Sequence, residues 1–171
     1  KQAWPRLLQL HLTRILREVV SCGLPCSWRI TLITHPPIRE ILTTDAKPAV
    51  ILMGTGSEVA LCIAAYEELK QEGVPARVVS MPSWELFEQQ DREYREHVLP
   101  PDVTARVSVE MASVIGWDRY VGTRGAKIGM HTFGSSAPLK DVLKKFGFTP
   151  DKVLAAAKEQ IAASRTASPA S

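Results

Sequence analysis

Between residues 46 and 163 continuous apolar runs alternate with stretches of helical periodicity. Residues 48–54 (PAVILMG) form an unbroken apolar run, the pattern of a strand buried on both faces. The next stretch places Val59, Ile63, Tyr66 and Leu69 on one helical face and Glu67, Lys70 and Gln71 elsewhere. Gly73 stands where a C′ glycine ends a helix. Residues 76–81 (ARVVSM) give a second strand, and Pro82-Ser83 opens a helical segment, WELFEQQDREYREHVL, with Ser83 as its N-cap. The charge-rich part of that segment, EQQDREYREH, reads as a solvated helix face. Residues 104–109 (TARVSV) predict a third strand and 126–130 (AKIGM) a short fourth. Residues 138–146 and 150–163 predict two helices, and the small, polar tail 164–171 predicts disorder. Strands alternating with helices predict an α/β fold whose mostly parallel sheet is covered on both faces. Sites in such sheets form at the carboxyl ends of the strands, which here carry Gly54–Glu58, Ser80–Ser83, Glu110–Ser113 and Met130–Gly134.

Residues 1–45 read as different material. Leu8, Leu12, Ile15 and Val19 lie at helical spacing, so 5–20 predicts an amphipathic helix with Pro5 in its first turn. Arg6, Arg14 and Arg17 outnumber Glu18, a balance shared by organelle transit peptides, basic membrane-surface helices and helices that bury their leucines on a domain. Leucines left exposed there would favour a homodimer. Pro36-Pro37 then breaks the chain before a short helical turn at 38–43.

Composition narrows the function classes. With 45% hydrophobic and 23% charged residues among 171, the chain is that of a globular protein with a real core. A net charge of +3 without an aromatic-basic stripe gives no footprint for nucleic acid. No run of about 18 apolar residues predicts a membrane span. The odd cysteine set Cys22, Cys26 and Cys62 suits reduced thiols and a cytoplasmic setting. Cys22 and Cys26 with His35 make an incomplete zinc set, so no metal site is predicted.

The glycine turn GTGSE at 54–58 admits several readings. A dinucleotide fingerprint fails because position 59 is Val and the next strand ends in Ser80-Met81 rather than an acidic residue. A nucleophile elbow around Ser57 lacks both flanking glycines. A capping box fits, with Thr55 at the N-cap and Glu58 at N3. The same helix N-terminus, at Gly56 and Ser57, suits a small anion. Glu110 ends the strand VSVE over the same edge as Glu58, and two carboxylates facing one cleft suit acid–base or nucleophilic work on a glycoside. The structural alternative has Glu110 bound to backbone amides or paired with Arg124. His131, in GMHTFG, with Ser57 or Ser135 as nucleophile and Glu110 as orienter, has the composition of an esterase triad. His97 reads as a surface residue; Trp84, Trp117, Tyr120 and Phe133 read as core or interface aromatics.

The order GTGSEV, GVPARVVSMPSWELFEQQDREYREHVLP, TARVSVE, GMHTFGSSAP and FGFTPDKV over about residues 46–163 resembles the C-terminal domain of transketolase. The resemblance implies a three-layer α/β/α sandwich with a mostly parallel sheet of about five strands. It also implies a parent enzyme that uses thiamine diphosphate and a divalent metal to transfer ketol units between sugar phosphates. The domains that hold that cofactor in the family have no counterpart in these residues. The expectation is therefore a truncated, structural or dimer-supporting piece, with no cofactor of its own, carrying an unrelated N-terminal extension. Two alternatives stand beside it: a small stand-alone hydrolase acting on an ester or carbohydrate, and an anion-binding module.

Overall fold

The computed structural model describes residues 39–44, 47–131, 134 and 138–166. Five strands form one sheet: β1 (Arg39–Thr43), β2 (Val50–Gly54), β3 (Ala76–Ser80), β4 (Arg106–Ser113) and β5 (Ala126–Met130). Their spatial order is β1-β3-β2-β4-β5, with β1 antiparallel to β3 and the other pairs parallel. The predicted helical turn at 38–43 is thus corrected to an edge strand. Its backbone finds partners along β3, and these long-range bonds override a weak local preference.

Among the described residues, four α-helices connect strands, α1 (Val59–Gln71), α2 (Trp84–Glu88), α3 (Arg92–Val98) and α4 (Asp118–Val121), and two follow β5, α5 (Leu139–Phe146) and α6 (Pro150–Thr166). Helix α6 runs through Thr166, so Ser164–Thr166 belong to the helix rather than to a disordered tail. The single helix expected after Ser83 is two. Ser83 caps α2 as predicted, accepting from Leu86 N at 3.3 Å, and Asp91 starts α3 by accepting from Tyr94 N at 2.7 Å. Aspartate competes with the helical ladder for backbone donors, which is why the chain breaks before it.

Alternation along the strands sends side chains to two faces. Ile51, Met53, Val79 and Met81 join Phe87, Val98, Trp117 and Tyr120 in one buried cluster, with Trp84 and Tyr94 against it. Trp84 and Trp117 meet edge to face with centroids 5.2 Å apart. These aromatics therefore sit in the core, and Tyr94 departs from the wholly solvated face expected of its segment. Against the sheet also lie α1 and α6, burying Cys62, Ala65 and Leu69 from α1 and Val153, Ala157 and Ile161 from α6. Lys158 Nζ reaches Glu72 Oε1 at 2.6 Å beside that helix pair.

Two strand arginines terminate α3. The buried Arg77 of β3 donates to the carbonyls of His97 and Val98. Arg106 of β4 donates from Nε to Val103 O (2.9 Å) and from Nη1 to Tyr120 O (2.6 Å), while Nη2 reaches Leu99 O (3.3 Å) and Pro100 O (2.8 Å). The last carbonyls of a helix lack intrahelical partners, and these guanidinium groups supply them.

Candidate functional site

The chain leaves β2, crosses to β3 on one side, and then crosses back to β4 on the other side of β2. The strand order therefore reverses between β2 and β4, the place where α/β sheets ordinarily open a crevice for ligand. Ser57 and Glu58 follow β2 at this edge, and Glu110 and Met111 lie in β4.

Gly56 adopts a positive φ of 59° and opens a single 3₁₀ turn, Gly56–Glu58, ahead of α1. This turn swings Glu58 inward, where it is only 6% exposed. Its Oε1 accepts from Met111 N at 2.9 Å and its Oε2 accepts from Ser57 Oγ at 2.9 Å. The β2–β4 ladder stops at Gly54 and Val109, and the Met111 N–H lies two residues beyond it. Glu58 thus stands in for the missing strand carbonyl and bridges the crevice.

The expected capping box is corrected by this geometry. The Thr55 side chain makes no cap bond to the turn; its Oγ1 donates to Met81 O at 3.3 Å and lies within hydrogen-bonding reach of Glu110. Glu58 turns toward β4 instead of back toward Thr55. The reason is energetic: an unpartnered strand N–H costs more than a cap that water can replace.

Glu110 does not end its strand, which runs on to Ser113. The register with β5 slips between Glu110 and Ser113, opposite Gly129 and Met130. Gly129 is required beneath this bulge, because an added Cβ would lie 2.3 Å from Val114 Cγ1. Burial raises the Glu110 carboxyl above the usual carboxylate range; the Thr55 hydroxyl opposes that rise and the nearby Glu58 charge reinforces it. The groups facing Glu110 are thus Thr55 and Glu58, and no ion pair with Arg124 is found among the described residues.

The structure brings together Ser57, Glu58 and Glu110 from the predicted candidates. His131 is exposed just past β5, and the Ser57 hydroxyl is engaged by Glu58 rather than by an imidazole. Ser135, Phe133, Cys22, Cys26, His11, His35 and the 5–20 segment lie outside the described residues. Cys62 is fully buried, and desolvation followed by the Glu58 charge pushes its thiol up to about 12, so it is no nucleophile at neutral pH. Among the described residues no group of three His, Cys, Asp or Glu is placed to hold a metal ion, and no helix is long and apolar enough to cross a membrane. Met111 N, the acceptor-seeking amide that organises this edge, escapes sequence reasoning because nothing in MAS announces a bulge.

Comparison with known proteins supplies the lineage of this architecture. A family model described as the transketolase-like TK C-terminal domain matches residues 40–149. Transketolase 10 of Craterostigma plantagineum is 56% identical over 113 residues, 66% of this chain and 17% of that protein. Transketolase 1 of Escherichia coli (strain K12) is 57% identical over 113 residues, again 66% of this chain and 17% of that protein. A solved transketolase from Leishmania mexicana superposes with a TM-score of 0.69 at 36% identity, covering 74% of this chain and 18% of that one. The chain spans less than a fifth of the length of each of these relatives.

Proposed function

The chain belongs to the transketolase C-terminal domain family, and from that premise we propose that residues 46–163 act as a structural, dimer-supporting part of a thiamine-diphosphate-dependent ketol transferase. The observation that carries this reading is the Glu58 bridge. One oxygen of a buried carboxylate ties the turn after β2 to the Met111 amide of β4, and the other is held by the neighbouring Ser57 hydroxyl, so the crevice is bridged by the fold itself.

Cofactor chemistry fits this edge poorly. A diphosphate seeks open amides at a helix N-terminus, but the turn ahead of α1 carries the Glu58 carboxylate with Glu110 beside it. Thiamine diphosphate and its divalent ion would therefore be held by other domains of a complete enzyme, and no step of ketol transfer is assigned to Ser57, Glu58, Glu110 or His131. The free thiol of Cys62 suits a reducing compartment, and the cytoplasm is the setting proposed.

A chimaera tests the reading. Residues 46–163 replace the matching region of Escherichia coli transketolase 1, and ketol transfer and sedimentation are measured beside the 171-residue chain alone. The expected result is a dimeric chimaera that transfers ketol groups and an isolated chain that does not. Transfer by the chain alone, or a dimeric, cofactor-loaded chimaera without activity, would overturn it.

A further inference from the structure

A second feature lies away from the β2–β4 edge. A cleft of about 370 Å³ opens where α2, α3 and α4 meet, within the roughly 300–1,000 Å³ typical of small-molecule sites. Its walls carry three guanidinium groups, Arg92, Arg95 and Arg119, against two carboxylates, Glu88 and Glu96. The aromatic side chains of Phe87 and Tyr120 complete them.

The carboxylates leave part of this donor capacity unused. Glu88 accepts from Tyr120 Oη at 3.0 Å and from Arg95 Nη1 at 3.2 Å, while Arg119 Nη1 stands 3.8 Å away, beyond hydrogen-bond length. Arg95 Nε is buried with no partner among the described residues. Arg92 spends Nε on Glu96 Oε1 at 2.6 Å. A guanidinium has five N–H donors in a planar fork that matches tetrahedral and planar oxyanions.

We propose that this cleft binds a small phosphate-bearing anion on the outward faces of Arg92 and Arg119. Arg95 is held by Glu88 and forms a cationic wall, while the buried rings of Phe87 and Tyr120 close the floor of the cleft. Phosphate is favoured over a lone carboxylate because two separate forks can grip different pairs of its oxygens. Glu96 works against the ligand, both by occupying Arg92 and by its own charge.

The test titrates the 171-residue chain with inorganic phosphate by calorimetry at constant ionic strength, with sodium chloride as the control. Arg92 and Arg119 have side chains 83% and 65% exposed, so Arg92→Gln and Arg119→Gln should leave the fold intact, checked by unchanged melting in chloride. Saturable phosphate binding is expected, weakened at least about fivefold by each substitution and abolished by both together. Glu96→Gln should tighten it about threefold by releasing Arg92 and removing a like charge. No heat beyond the chloride control, or undiminished binding in the double variant, would overturn the proposal.

Discussion

Replacing Glu58 separates a bridge across the crevice from a cap on a helix. In Glu58→Ala, Met111 N loses an acceptor at 2.9 Å and Ser57 Oγ loses its own. A hydrogen bond to a charged group contributes about 1.5–3 kcal/mol, and the vacated space beside β4 adds to the loss. Relief of the Glu58–Glu110 repulsion offsets part of it, leaving a net loss of about 2–3 kcal/mol. For a chain of this size that lowers Tm by about 4–12 °C. In Glu58→Gln the amide oxygen still accepts from Met111 N, and the amide nitrogen donates to Ser57 Oγ after its hydroxyl rotates. That variant should lose no more than about 1 kcal/mol. Circular dichroism melts give the stabilities, and hydrogen exchange at the Met111 amide gives the local signature: protection kept in the glutamine variant and lost in the alanine variant. An alanine variant within about 2 °C of wild type, or one with Met111 still protected, would refute the bridge.

Other residues give further expectations. Glu110 has a raised folded-state pKa, so the folded chain holds its proton more tightly than the unfolded one. Its contribution is fully present below the unfolded value and fades as pH rises through the folded value. Glu110→Gln should therefore flatten the decline in urea stability above the ordinary carboxylate range and gain relative to wild type at pH 7, whereas an unchanged pH profile would contradict the assignment. Arg106→Met removes the donors to four carbonyls and should cost at least about 3 kcal/mol in urea denaturation, with Arg106→Lys recovering less than half because an ammonium lacks the fork. Gly129→Ala should cost about 1–3 kcal/mol by forcing Cβ against Val114, and adding Val114→Ala should restore part of it; equal stability of single and double variants would deny the contact.

The parallel core was legible because its strands are buried on both faces and are written as apolar runs. PAVILMG and ARVVSM both contain observed strands, and the cap at Ser83 was plain from a hydroxyl before a helical run. Edge strand β1 was not legible: REILT has no alternation to mark a buried face, and its structure depends on β3, which comes more than thirty residues later. The break at Asp91 was hidden by strong helix formers on either side. The bulge after Glu110 depends on a contact between Gly129 and Val114 that no local pattern encodes.

The candidate site illustrates a more general ambiguity. Thr55 and Glu58 satisfy a capping box by spacing, and Glu58 with Glu110 satisfies a catalytic pair by position, yet neither pattern specifies where the carboxylate turns. That choice rests on which unpartnered donor is nearest and most costly to leave unmet. Here it is Met111 N, brought within reach because β2 stops two residues short of it. A catalytic acid or base must exchange protons with a ligand, whereas an acceptor holding two donors in a 6% exposed position has its capacity committed to the fold. At Glu58 the crevice is spanned by a bond to the Met111 amide. Three arginines lie instead among α2, α3 and α4, and the proposed anion site is placed there for that reason.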